Sequence, residues 1–113
     1  MDAEKPRSFN EFWPSYVRDH SHPTNRRLHV VGTGLAFVLL ALGAILEQPL
    51  FLLGALVSGY ALSWIGHFFV EHNRPATFRA PLWSLMADFR MFYLTINGKM
   101  AAEIERVSLA RKP

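Results

Sequence analysis

The chain is 113 residues long, which gives room for one domain, and it has no cysteine, which excludes disulfides and thiolate metal sites. Half of its residues are hydrophobic and 19% are charged, with a net charge of +3 and a pI near 9.7. The basic residues are not clustered with interleaved aromatics, so no nucleic-acid partner is expected; a cationic balance of this kind suits an anionic membrane surface.

The opening, MDAEKPRSFNEF, is polar and lacks the apolar core of a signal peptide. Ser8 and Glu11 fit a capping box that opens a helix through Phe9, Phe12, Trp13, Tyr16 and Val17. Pro14 is better suited to a first turn, which moves the expected start toward Trp13. The aromatic cluster is that of an interfacial helix, and residues 8–29 form this helix plus a polar motif, DHSHPTNRRLH, ending in His29.

From Val30 to Asn73 there is no Lys or Arg, and only Glu47 and Glu71 are acidic. Two uncharged stretches, 30–46 and 49–66, are each about 26 Å long as helices, enough for a bilayer core. The second continues as a helix to Glu71. Glu47-Gln48-Pro49 makes the turn between them. A buried hairpin in a soluble bundle is the alternative, favoured by a mean hydropathy of only +0.11, but so small a chain has little with which to cover two helices apolar all round. Lys5, Arg7, Arg18, Arg26 and Arg27 precede the hairpin, and Arg74, Arg79 and Arg90 follow it. The positive-inside rule then places both termini in the cytoplasm and the short turn outside, which is the expected topology of a multi-pass chain in the inner (cytoplasmic) membrane.

Residues 75–81 read as a loop. Leu82–Asn97 is a third helix, with Pro81 near its start and Gly98 just past its end. Asp88 and Arg90 interrupt its apolar residues, which assigns it to the interface, and 99–113 is an amphipathic tail. The expected fold is all-α: an integral membrane hairpin of two spans with flanking interfacial helices, in one domain over 1–113.

His29 lies 18 residues before Glu47 and His67 lies 20 after it, so an antiparallel hairpin brings both to one membrane face at nearly equal depth. His67 and Glu71 are four apart and project from one side of their helix. Ala55, Gly59 and Ser63 continue that row, and Gly32 and Ala36 offer a matching small face beyond His29. Such a seam permits close helix approach, within the hairpin or in a homodimer. Two imidazoles and a carboxylate at one depth suit iron and similar ions. His20 adds a third imidazole if the polar segment folds back. His22 and His72 are assigned to water or headgroups. Asn25-Arg26 and Asn73-Arg74 flank the same surface. For Arg26 and Arg74, capture of a carboxylate or phosphate stands beside ordinary positive-inside flanking.

His20 to Gly32, read as H-x4-N-R-x2-H-x2-G, and Gly66 to Ala76, read as G-H-x3-E-x2-R-P-A, resemble a family of small membrane proteins. Its characterised members are iron-dependent dioxygenases that shorten 2-hydroxy fatty acids by one carbon in the degradation of phytosphingosine. With the hairpin between the motifs, the resemblance covers roughly Phe12 to Phe92 and is that of a compact, bacterial-type member. It implies Fe(2+) held by His20, His29 and His67, with Glu71 as a further ligand or its hydrogen-bonding partner. Asn25, Arg26 and Arg74 also match motif positions. The implied partners are a 2-hydroxy fatty acid, dioxygen and the bilayer. The acyl tail would lie in the bilayer or along the hairpin, with Arg26 or Arg74 steering the carboxylate. Two other classes stay open on the residues alone. His29 and His67 are placed to bind a haem axially in an electron carrier, or the histidines anchor a non-catalytic, lipid-binding scaffold.

Overall fold

A computed structural model describes residues 6–111. Lys5, counted above among the basic residues, and Lys112 and Pro113 of the tail lie outside them. The described elements are all helical: α1 (Phe9–Asp19), α2 (Pro23–Leu46), α3 (Leu50–Ile65), a π-helical continuation of α3 (Gly66–Glu71), a 3-10 turn (Ala76–Phe78), α4 (Pro81–Ile96) and α5 (Met100–Arg111).

Helix α1 starts at Phe9 rather than near Trp13. The Ser8 hydroxyl accepts the Glu11 N–H at 3.2 Å, and the Glu11 carboxylate accepts the Arg7 N–H at 3.0 Å. Two orphan donors are thereby satisfied, which outweighs the one backbone bond that Pro14 forfeits inside the helix. Helix α2 also starts early. His22 caps it by accepting the Thr24 N–H, Pro23 fills the first helical position, and most of the polar motif becomes its first two turns.

Helices α2 and α3 form an antiparallel hairpin, and both are long and apolar enough to cross a membrane. Glu47 ends α2 in the left-handed region (φ 52), with the Gln48 N–H returning to the Gly43 carbonyl. Gly43 is needed there, since a Cβ would press on the Phe51 side chain. Further along, Gly32 lets α2 approach the Ser58 and Gly59 carbonyls of α3. The small-residue seam is therefore used within the hairpin itself, where Gly32, Ala55 and Ser63 are buried.

Among the described residues none covers the outward faces of the hairpin: Ile45 is 75% exposed, Leu50 73% and Leu53 58%. A soluble core helix would have buried these side chains. The protein's own core lies elsewhere, where α1, α4 and α5 meet around Phe12, Trp13, Tyr16, Val17, Ala87, Met91, Met100 and Val107. Arg79 lies over the Phe12 ring and Arg90 over Trp13, so two exposed cations cover this core from outside. Helix α4 joins the two regions. Met91 faces α1, whereas Phe89 and Phe92 pack on Phe37 of α2.

Candidate metal centre

Three buried histidines meet where the aromatic core joins the hairpin: His20 at the end of α1, His29 in the second turn of α2 and His67 in the π-helical stretch. One ligand atom from each lies within 4.8 Å of the other two. The Nε2 atoms of His20 and His29 are 3.0 Å apart, and those of His29 and His67 are 3.1 Å apart.

Chain geometry explains the convergence. His20 ends α1, and the following turn is short because the Glu71 carboxylate clamps it, accepting from the His22 backbone N–H at 2.6 Å and from Ser21 Oγ at 3.3 Å. Arg26 fastens the same turn by donating to the His20 and Ser21 carbonyls at 2.7 and 2.8 Å. Asn25 is fully buried and donates to Glu71 at 3.4 Å. Its amide fits only because residue 66 is glycine, where any Cβ would overlap Asn25 Oδ1. The π-helical widening after Gly66 aims His67 inward and Glu71 at the turn, and such widenings recur at functional sites.

The proton positions follow from the outer partners. His20 Nδ1 lies 2.6 Å from the Tyr16 carbonyl, which can only accept, so this nitrogen carries the proton. His67 Nδ1 faces Asn73 Oδ1 at 2.7 Å. The Asn73 amide is oriented by donating from Nδ2 to the Asp19 carbonyl, so His67 Nδ1 is again the donor. His29 Nδ1 lies 3.4 Å from Asp88 Oδ1, which also accepts the Tyr16 hydroxyl at 2.5 Å. All three Nδ1 atoms thus point to acceptors, which leaves three Nε2 lone pairs facing one another. Ser63 donates to one of them, on His29, at 2.9 Å. Burial, then the neighbouring His29 and His67, holds His20 well below the usual histidine range, so it is neutral near pH 7. Burial, then the Asp88 carboxylate, keeps the Tyr16 phenol protonated.

Converging lone pairs with no proton between them repel unless a cation sits among them. This donor set fits one: imidazoles whose far nitrogens are held by carbonyl and carboxylate oxygens are the usual surroundings of a bound transition ion. At a metal–nitrogen distance of about 2.1 Å, ligands subtending a right angle stand about 3.0 Å apart, close to the spacings found here. Axial ligation of one haem by His29 and His67 would require roughly 4 Å with a macrocycle between them. Their 3.1 Å separation is that of neighbouring ligands on one ion.

The other residues singled out in the sequence fall into two groups. Glu71, Asn25 and Arg26 lie against the α1–α2 turn, and Glu71 is not among the three grouped ligands. Arg74 and His72 are exposed within the second motif, with His72 in the left-handed region (φ 60), and His22 is an exposed helix cap. Asp88 and Asn73 were missed as site residues. Asp88 read as a polar interruption of an apolar helix, and that interruption was itself the signal, because a lone carboxylate in such a helix needs a partner.

The family model described as 2-hydroxy-palmitic acid dioxygenase Mpo1-like matches residues 6–100. No curated protein and no solved structure matches the chain.

Proposed function

The chain belongs to that family, and from this premise we propose that it is a membrane-bound, non-haem iron dioxygenase that shortens 2-hydroxy fatty acids by one carbon. The observation that carries the reading is the convergence of His20, His29 and His67, with one ligand atom from each within 4.8 Å of the other two and each Nδ1 facing an oxygen acceptor. The reaction balances with no added reductant: hydroxy acid and dioxygen give the acid one carbon shorter, carbon dioxide and water. Bound Fe(2+) would supply dioxygen activation and a docking point for the carboxylate and hydroxyl of the substrate.

The protein's own groups hold and orient. Asp88 fixes the tautomer of His29, Asn73 that of His67, and the Tyr16 carbonyl that of His20. Glu71, Asn25 and Arg26 act by locking the turn that carries His20. Arg74, exposed beside Asn73, is the cation we assign to first attraction of the carboxylate. The hairpin spans the membrane, with its short turn outside and the basic termini at the cytoplasmic face. In support, Lys and Arg are absent between Val30 and Asn73, and among the described residues none covers the outward apolar faces.

The test is metal content of anaerobically purified protein, wild type beside His29→Ala and His67→Ala, with helicity checked in each. About one iron per chain, lost in both variants and without a haem spectrum, is the expected result, followed by consumption of 2-hydroxypalmitic acid with release of carbon dioxide. Folded wild type that takes up no iron after ferrous reconstitution would overturn the reading. Arg74→Ala should weaken apparent affinity for the hydroxy acid without changing iron content.

A further inference from the structure

An apolar groove begins at the metal centre. Its polar end is formed by His29 and Asp88, and from there it runs between α2, α3 and α4 to Leu40 and Leu52. Its volume is about 190 Å³, below the roughly 300–1,000 Å³ of sites that enclose a small molecule. It is therefore shaped to hold one side of a ligand and leave the other side to its surroundings. Small residues set its width. Ala36 of α2 lies opposite Gly59 of α3, where an added Cβ would only just reach Ala36. Phe37, Leu85 and Phe89 form walls beside them.

We infer that this groove seats the alkyl tail of a fatty acid whose carboxylate end lies at the His20–His29–His67 cluster, and that the residues around Ala36 and Leu40 set the preferred tail length. This rests on the dioxygenase reading for the chemistry at the head and on the groove alone for the tail. Continuity with the centre argues for this occupant: the imidazole and carboxylate among the lining residues are His29, a member of the cluster, and Asp88, which orients it. Direction argues for it as well. The groove runs from the charged end of the hairpin toward its turn, so a fatty acid would enter sideways with its head at the membrane surface and its tail already in hydrocarbon.

Length follows from the helix. His29 to Leu40 is 11 residues, or about 16 Å of helix. At roughly 1.25 Å of advance per C–C bond of about 1.5 Å, this accommodates a tail of about 13 carbons. Longer tails pass Leu40 and Leu52 and continue into lipid, so preference should climb with chain length up to about that size and then level off. Ala36 stands about 10 Å along the groove, so a large side chain there should cut off all but short tails.

The experiment uses full-length protein in nanodiscs and has two arms. In the first, 2-hydroxy acids of 8 to 18 carbons are compared for turnover by wild type, Ala36→Phe and Ala36→Leu, with Val38→Phe as the lipid-facing control. The expected result is at least a tenfold fall in the long-to-short ratio for Ala36→Phe, a smaller fall for Ala36→Leu, and none for Val38→Phe. In the second arm, palmitic acid carrying a mid-chain diazirine is photolysed with wild type and the adducts are mapped. Adducts concentrated near Phe37, Leu85 and Phe89 support the tail site even if no hydroxy acid is turned over, an outcome that would sink the dioxygenase reading alone. Adducts spread evenly over the outward residues, such as Leu46 and Leu53, overturn the inference. So does an unchanged chain-length profile in both Ala36 variants, provided wild type turns substrate over.

Discussion

The two halves of this molecule treat their apolar side chains in opposite ways. Around α1, large aromatics are sealed by the protein itself, and Phe12 and Tyr16 have no exposure at all. Along the hairpin the bulk of the apolar side chains point outward, and the residues buried between the helices beyond the histidine cluster, such as Gly32, Ala55 and Ser63, are small. The first region builds its own interior, whereas the second needs one from outside. The histidine cluster lies where these regimes meet, with His20 supplied by the sealed half and His29 and His67 by the uncovered one. Neither half alone holds the three histidines, so the geometry of the cluster depends on how the halves are docked, chiefly through Tyr16–Asp88 and the Glu71 clamp.

The sharpest way to break this picture is to hollow out the sealed half. Phe12→Ala should cost about 3–5 kcal/mol of its stability, seen as a lowered unfolding midpoint in detergent by near-ultraviolet circular dichroism. Iron should be lost along with it, because His20 loses its support. Next is a pair of exposed positions that differ only in region. Val57→Arg, at the middle of α3, should cost about 2.5–3.5 kcal/mol in a membrane-insertion assay, whereas Glu105→Arg should stay within about 0.5 kcal/mol. Equal, small effects at both sites would show that the hairpin faces water.

At the junction, Asp88→Asn keeps the shape but removes the charge that orients His29. Iron affinity should fall about 10–100-fold in a competitive chelator titration, with helicity unchanged. The smallest effect belongs to α5. Arg106, together with the Trp13 indole, holds the Glu103 carboxyl down from 4.5 to about 2. A depressed carboxyl stabilises the fold above its unfolded value and loses that contribution as pH falls from about 4.5 to about 2. Trp13 fluorescence should therefore report loosening of α5 over that window while hairpin helicity holds, and Glu103→Gln should remove the transition.

The hairpin was legible in the sequence because hydropathy needs no partner to be read. A run without charge from Val30 to Leu46 has few alternatives to a long apolar helix. The pairing of His29 with His67 was legible for the same reason, since a tight turn and two straight helices fix depth by counting. Glu71 shows where counting stops. Four residues along an ideal helix would place it beside His67, but the π-helical widening sends it to the α1–α2 turn. Asp88 shows the same limit from the other side. Its charge was visible as an interruption in α4, but its partners Tyr16 and His29 lie 72 and 59 positions away in the chain.

Local pattern and composition thus set the helical class, the two long apolar helices and the residue types of the centre. Which nitrogen of each histidine is free, which carboxylate clamps a turn and which one orients a ring were decided only by tertiary structure. These depend on docking α1 and α4 against the hairpin, where a shift of one turn would move each partner by about 5 Å and out of hydrogen-bond reach.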